Sequence, residues 1–510
     1  MEASTIFLAL FLVALILLPL LNYLLPRKLK LPPGPKPWPV IGNLNLVGSL
    51  PHHSFQELSQ KYGPLLQLYF GSSPIVVASS PKMAKLILQE NDVFFASRPK
   101  TAAGNYTTYN YSDMAWSSYG PYWVQLRKIC EMEIFSGKRL DIFQYIRVEE
   151  MRKLMKRLYN SSGKPVVLKD DLIRLTFNVI GRMALGKSYL DGEMNNSVIE
   201  PEEFMCMIEE LFVLNGVFNI GDFIPWLGVF DLQGYVKRMK VVSKKLDKFL
   251  ELVINEHNEV RRQCNVDAKD YVAKDMMDVL LQLSDNQDVQ VKLQRDGVKG
   301  FTQDMLAGGT EGPVTTIEWG LSEMLRNPKT FELATEELNR IIGRERWVEE
   351  KDIQNLPYIE ALSKEILRLH PVGPLLAPHM ASQDCKVSGY DIPKGTTVLI
   401  NAWAISRDPD VWSDPNEFRP ERFTSVDIDI KGSDFRILPF GSGRRKCPGY
   451  NLGLKLIQLN LANLLQGFAW DLPENMKIEE LSMEESFGLS LPRKVPLIVV
   501  AEPRLPSHLY

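Results

Sequence analysis

"PFGSGRRKCPGYNLGLKLIQLNLANLL", residues 439–465, sets a glycine-rich loop, a single cysteine and an amphipathic helix in one continuous run. Gly441, Gly443 and Gly449 let the backbone fold tightly and bring its N–H groups toward the sulfur of Cys447. A helix starts at once, and the positive end of its dipole favours a thiolate. A lone cysteine is usually an inert core thiol, but this setting is that of a metal ligand or a nucleophile. No cysteine or histidine stands near it in sequence to complete a protein-only metal cluster. One thiolate in apolar surroundings suits haem iron, where it pushes electron density toward O–O cleavage.

The rest of the chain frames that loop. With 510 residues, 45% apolar side chains and a net charge of −3, it can bury a large core. The charge excludes a nucleic-acid binder, which needs a basic surface. Five cysteines are scattered with no C-x-x-C pair, so neither a zinc knuckle nor a disulfide scaffold is indicated. Reduced thiols fit a cytosolic compartment.

The N-terminus carries "IFLALFLVALILLPLLNYLL", Ile6 to Leu25, about the twenty apolar residues that cross a bilayer. Arg27, Lys28 and Lys30 follow, which places the remaining chain on the cytosolic side. The run is too long for a cleaved signal and lacks a small-residue cleavage site. Next, "LPPGPKPWPVIGN" reads as a stiff extended strap. The expected organisation is therefore an anchor over 1–30, a proline-rich strap over 31–43 and one catalytic domain over 44–510. Helical periodicity dominates that domain, with a hairpin over 64–80 and strands in "TTVLINAWAIS" and "VPLIVVAEP". The fold class is mainly α with small β-sheets.

A second stretch, "AGGTEGPVTT" over 307–316, interrupts good helix sequence with Gly308, Gly309 and a Gly312-Pro313 pair. Proline lacks the N–H owed to the carbonyl four residues back, at a cost of roughly 3 kcal/mol or more inside a helix. The expectation is a local break put there for a purpose.

Together these segments resemble the cytochrome P450 family. F-x-x-G-x-R-x-C-x-G, here Phe440 to Gly449, is similar to its signature loop. "EILR" with Glu365 and Arg368, "PERF" with Arg422, and "WVQLR" with Trp123 and Arg127 follow the family pattern. The resemblance implies the P450 fold, with Cys447 as axial ligand of haem b and Phe440 packed beside the thiolate. It gives Trp123, Arg127, His379 and Arg445 to the haem propionates, and Glu365, Arg368 and Arg422 to a buried charged network. It also implies O2, electrons from NADPH through a cytochrome P450 reductase, and a single-pass endoplasmic reticulum protein whose neighbours are membrane lipid.

By the same resemblance, 307–316 belongs to the helix crossing the distal haem face. Gly308, Gly309, Thr310 and Glu311 match, but Gly312 stands where the family usually has a threonine that assists proton delivery. Glu311, Gly312, Pro313, Gly308 and Gly309 are accordingly the candidate catalytic stretch. The departure points either to a water replacing the hydroxyl or to oxidative coupling, ring closure, bond cleavage or rearrangement.

The phrasing of the loop and strap is most similar to plant microsomal members. Tyr109, Phe212, Leu375, Leu376 and Phe487 are the expected pocket residues, for a small apolar, aromatic specialised metabolite such as a lignan (sesamin-like) or a flavonoid. The alternatives are a terpenoid hydroxylase, a reductase-independent haem-thiolate isomerase and a non-catalytic haem sensor.

Overall fold

The computed structural model describes residues 29–189, 201–263, 272–285, 292–474 and 476–510. The apolar run Ile6–Leu25 lies outside the described residues. Seven helices build the site: α1 Pro121–Ile129, α2 Leu168–Leu185, α3 Pro201–Gly216, α4 Tyr235–Gln263, α5 Arg295–Arg326, α6 Pro357–Leu369 and α7 Tyr450–Gly467. Their ends follow local chemistry. Helix α2 opens with Asp170 and Asp171 against the positive dipole end and closes on Gly186, which is left-handed at φ 75°. Helix α6 starts with Pro357 in its first turn and stops before His370-Pro371, where proline forbids continuation.

Among the described residues, nine short strands form three sheets. The four-stranded sheet runs β1 (Leu65–Phe70), β2 (Ser73–Ala78), β7 (Thr397–Ile400), β4 (His379–Met380). Its first two strands are the expected hairpin, with Leu68 opposite Ile75. Strands β3 (Pro165–Val167), β9 (Ile498–Pro503) and β8 (Phe468–Asp471) form the second sheet, and β5 (Cys385–Val387) pairs with β6 (Tyr390–Ile392). The strand expected over "TTVLINAWAIS" ends early. Asn401 accepts a hydrogen bond from the Ala404 N–H at 3.0 Å, and this cap turns Ala402–Ile405 into a helix. The proline strap runs beside β1: Gln67 N–H donates to the Pro33 carbonyl at 2.8 Å and Asn43 N–H to that of Tyr69 at 2.6 Å. An otherwise open sheet edge is thereby covered.

Helix α5 corrects the expected break. It is α-helical without interruption from Arg295 to Arg326, with Pro313 inside it. Burial explains this. Nearly every side chain from Gly297 to Met324 is buried, and α2 and α7 flank the helix. Tertiary packing overrides a local propensity cost of a few kcal/mol. Thr316 Oγ1 also donates to the Gly312 carbonyl at 2.8 Å, serving one acceptor in the turn that proline disturbs.

Candidate active site

A cavity of about 410 Å³ lies between α5 and the Cys447 loop. Residues from both, including Gly308, Gly312, Phe440 and Cys447, line it. The loop is held by its own backbone. Cys447 N–H donates to the Phe440 carbonyl at 2.9 Å, and Lys446 N–H to that of Gly443 at 3.2 Å. Gly441 and Gly443 both sit at φ 65°, a left-handed conformation that side chains rarely adopt. A Cβ on Gly443 would also strike the Leu88 carbonyl at 1.9 Å. The glycines are there for shape.

Burial pushes the Cys447 thiol up, opposed by the Gly449 N–H and by the charges of Arg127 and Lys446. The sequence suggested that loop and helix alone would favour thiolate. Burial outweighs them, and a bound metal ion would favour the thiolate.

On one side of the cavity stand three bases. Arg98 Nη1 donates to the Ala377 and Pro378 carbonyls, both at 2.7 Å, and its Nε to that of Ala115 at 2.9 Å. Arg445 donates to the carbonyls of Ala96, Met114 and Ser117. His379 Nδ1 faces the Phe95 carbonyl at 2.9 Å. Burial lowers Arg98 to about 10 and, with the neighbouring Arg98 cation, Arg445 to about 8 and His379 to about 3. Neither arginine has a carboxylate within ion-pair reach among the described residues. Two buried guanidinium groups without a counter-ion are costly unless an anion binds. A flat dianionic ligand with a metal above one cysteine sulfur meets that need, which is the chemistry of haem and its two propionates. The residues fit it.

Trp123 and Arg127 stand one layer behind the lining. The Trp123 ring lies 4.5 Å from the Arg445 guanidinium, and Arg127 donates to the Lys446 carbonyl and to Glu131. Trp123 thus packs on Arg445, which lines the cavity, and Arg127 holds the carbonyl of the residue before Cys447. The charged network forms as expected: Arg368 grips Glu365 at 2.7 and 2.9 Å, and Arg422 reaches it at 3.2 Å. Arg368 also donates to the carbonyls of Ser406, Pro415 and Glu417, tying the segment 406–417 to α6.

The distal stretch divides by function. A Cβ on Gly308 or Gly312 would meet nothing within 4 Å, whereas one on Gly309 would strike Ile180 of α2 at 2.6 Å. Gly309 is small for helix packing; Gly308 and Gly312 open space. Pro313 also lines the cavity. Glu311 does not: its carboxylate accepts from Ser490 at 2.9 Å and Thr315 at 3.3 Å, and burial raises its pKa.

Among the expected pocket residues, Phe212 and Leu376 line the cavity. Leu375 and Phe487 line a neighbouring one of about 220 Å³, which shares Trp116, Asn215, Leu376 and Leu489 with the first. Tyr109 lines neither and is corrected. Consecutive left-handed residues, Tyr109 to Tyr111, turn that loop so that the Tyr109 ring packs 5.4 Å from Lys299 Nζ. Sequence reading missed Arg98, Asp113 and Asp304, for which no local pattern signals a cavity position.

The profile of the cytochrome P450 family matches residues 32–499. This chain belongs to the cytochrome P450 family. It is similar to trimethyltridecatetraene synthase of Zea mays, 46% identical over 95% of this chain and 90% of the relative. Dimethylnonatriene synthase of Zea mays is also 46% identical, over 95% and 93%. Flavonoid 3'-monooxygenase of Petunia hybrida is 42% identical over 94% of each. Among solved structures, a zebra fish cytochrome P450 with progesterone superposes with a TM-score of 0.74 at 28% identity, covering 89% of this chain and 99% of that one. The protein is a P450 monooxygenase of a group with plant relatives named for flavonoids and for polyenes.

Proposed function

We propose that this P450 is a membrane-anchored monooxygenase of the endoplasmic reticulum that oxidises an apolar, aromatic plant specialised metabolite of lignan or flavonoid type. Its electrons come from NADPH through a reductase docked on the cytosolic side. The observation that carries the reading is the cavity itself, which runs from Cys447 past the open positions Gly308 and Gly312 into a wall of Phe301, Phe212, Ile180, Met183 and Leu489. Haem held by Cys447, with propionates toward Arg98, Arg445 and His379, supplies oxygen activation. The protein supplies apolar enclosure and orientation.

It supplies no hydroxyl at position 312. Thr316 Oγ1 is engaged by the Gly312 carbonyl, and Glu311 is engaged by Ser490 and Thr315 outside the lining. A proton needed above Gly312 therefore comes from water or from the substrate, and this favours products other than simple hydroxylation.

A terpenoid substrate is the second reading, favoured by the two maize relatives named for a tetraene and a triene. Membranes carrying the full chain and a plant reductase are to be supplied with NADPH and sesamin, a flavanone or an acyclic terpene alcohol, with product masses read out. NADPH-dependent loss of an aromatic compound supports the first reading, and loss of the terpene alone selects the second. Product formation without NADPH would select a reductase-independent isomerase.

A further inference from the structure

Beside the apolar wall and the side formed by Arg98, Arg445 and His379, the cavity lining holds two acids. Asp113, in the segment before α1, and Asp304, on α5 one turn before Gly308, both line the cavity; Asp113 is buried and Asp304 half-buried. Asp304 Oδ2 accepts the N–H groups of Met114 at 2.8 Å and Ala115 at 3.2 Å, and Asp113 Oδ1 accepts that of Trp116 at 3.1 Å. Asp113 Oδ2 has no hydrogen-bond partner, although the residue is fully buried. Leaving a buried carboxyl oxygen unserved is costly.

The same loop is held from its carbonyl side by Arg98 at Ala115 and by Arg445 at Met114. Two cations thus stand behind the two acids. Burial raises both carboxyls, and the charge of Asp304 raises Asp113 further. The patch is polar and rich in acceptors.

We propose that Asp113 and Asp304 form a hydroxyl-recognising subsite of the substrate cavity, accepting a hydrogen bond from an alcohol or phenol group and fixing which end of an apolar substrate lies over Gly308 and Gly312. A neutral hydroxyl suits the subsite because it donates to a carboxyl oxygen without bringing another charge into the wall. The proposal rests on the reading of this cavity as the substrate site and adds the functional group that the substrate carries.

The test uses the full-length, haem-loaded protein in lipid nanodiscs and four probes of one shape: biphenyl, 4-methoxybiphenyl, 4-phenylphenol and 4-phenylbenzylamine. Dissociation constants come from the haem absorbance shift. The phenol is expected to bind about tenfold more tightly than its methyl ether, as one well-made buried hydrogen bond allows. In Asp113→Asn the amide stays isosteric and donates permanently to Asp304, and the preference should fall below about threefold. Infrared difference spectra need no variant: the protonated-acid C=O band of the parent should shift with 4-phenylphenol and stay fixed with the ether.

Equal binding of ether and phenol with an unmoved band overturns the subsite and leaves the cavity reading intact. Tightest binding by the amine overturns the hydroxyl class. If biphenyl and all its derivatives fail to bind, the cavity reading falls, and the subsite with it.

Discussion

The two walls of the cavity are built on opposite principles. The Cys447 wall is local: the segment 439–449 folds on itself through short-range hydrogen bonds and left-handed glycines, and a single helix follows. The α5 wall is non-local. Gly308, Gly309, Gly312 and Pro313 form a continuous helix only because α2, α7 and buried side chains hold them there. A wall fixed by its own sequence resists change in its surroundings. A wall fixed by packing can vary its residues, and here it does.

The largest expected effect breaks the local wall. Cys447→Ala removes the sulfur of the loop that also carries Phe440, so the long-wavelength carbon monoxide band of thiolate ligation should vanish and turnover with it. A thiolate-type band persisting in that variant would reassign the ligand.

Next in size is the buried ion pair that supports both walls from behind. Glu365 and Arg368 are each 0% exposed, and Glu365 also receives the Arg419 N–H at 2.8 Å. Glu365→Ala leaves two guanidinium groups facing a void, and removing one partner of such a pair costs about 3–5 kcal/mol. The variant should lose haem and unfold at markedly lower temperature, as read by haem content and a thermal scan. Parent-like stability would show that the carbonyls of Ser406, Pro415 and Glu417 suffice to hold Arg368.

That contrast also explains what the sequence disclosed. Cys447, Phe440, Glu365 and Arg368 could be read because their partners lie within a few residues or follow a fixed spacing. Helix α5 was misjudged at Pro313 because its stability comes from distant packing that no local window contains. Tyr109 was misplaced because composition cannot tell which way a left-handed turn points a ring. Arg98 and the Asp113–Asp304 pair were missed for the same reason, since their meeting depends on how the segment 98–117 drapes across α5. The length and apolarity of α3 were legible, and Phe212 was expected in the pocket; that Leu211 and Asn215 line the cavity with it was not legible.

A smaller effect is expected from pH. Burial raises the Asp304 carboxyl to about 6, against the N–H groups of Met114 and Ala115, and raises Asp113 further, with Asp304 as its nearest charge. In the unfolded chain such groups titrate near ~4. The folded form therefore holds protons that the unfolded form has already released, and stability should fall as pH rises from about 4 through about 6. Over that window His379 stays neutral and Arg98, Arg445 and Tyr122 keep their protonation, while Glu311, Glu318, Asp170 and Asp222, also raised by burial, add to the slope, so the share of the acid pair is read from a variant. Asp113→Asn should flatten it in thermal scans at matched rate. An unchanged slope would place the titration elsewhere.

The smallest and most specific effect sharpens the non-local wall. Gly312→Thr restores a hydroxyl to a position where a Cβ meets no protein atom within 4 Å, so the fold should accept it and thermal stability should change by less than about 1 kcal/mol. A helical threonine bonds readily to the carbonyl four residues back, here that of Gly308, and it also presents an O–H to the cavity. Thr316 already shows that habit at the Gly312 carbonyl. With a donor fixed above the Cys447 side, proton delivery no longer depends on water or on the substrate. The product ratio should move toward simple hydroxylation, and less NADPH should be lost to peroxide. Pro313→Ser alone restores a backbone donor for Gly309 and adds no hydroxyl at 312, so it separates helix geometry from proton supply. If Gly312→Thr loads haem normally and Pro313→Ser changes the products while Gly312→Thr does not, the departure works through helix geometry. If neither alters products or coupling, residues 312 and 313 shape the wall and leave the chemistry to the rest of it.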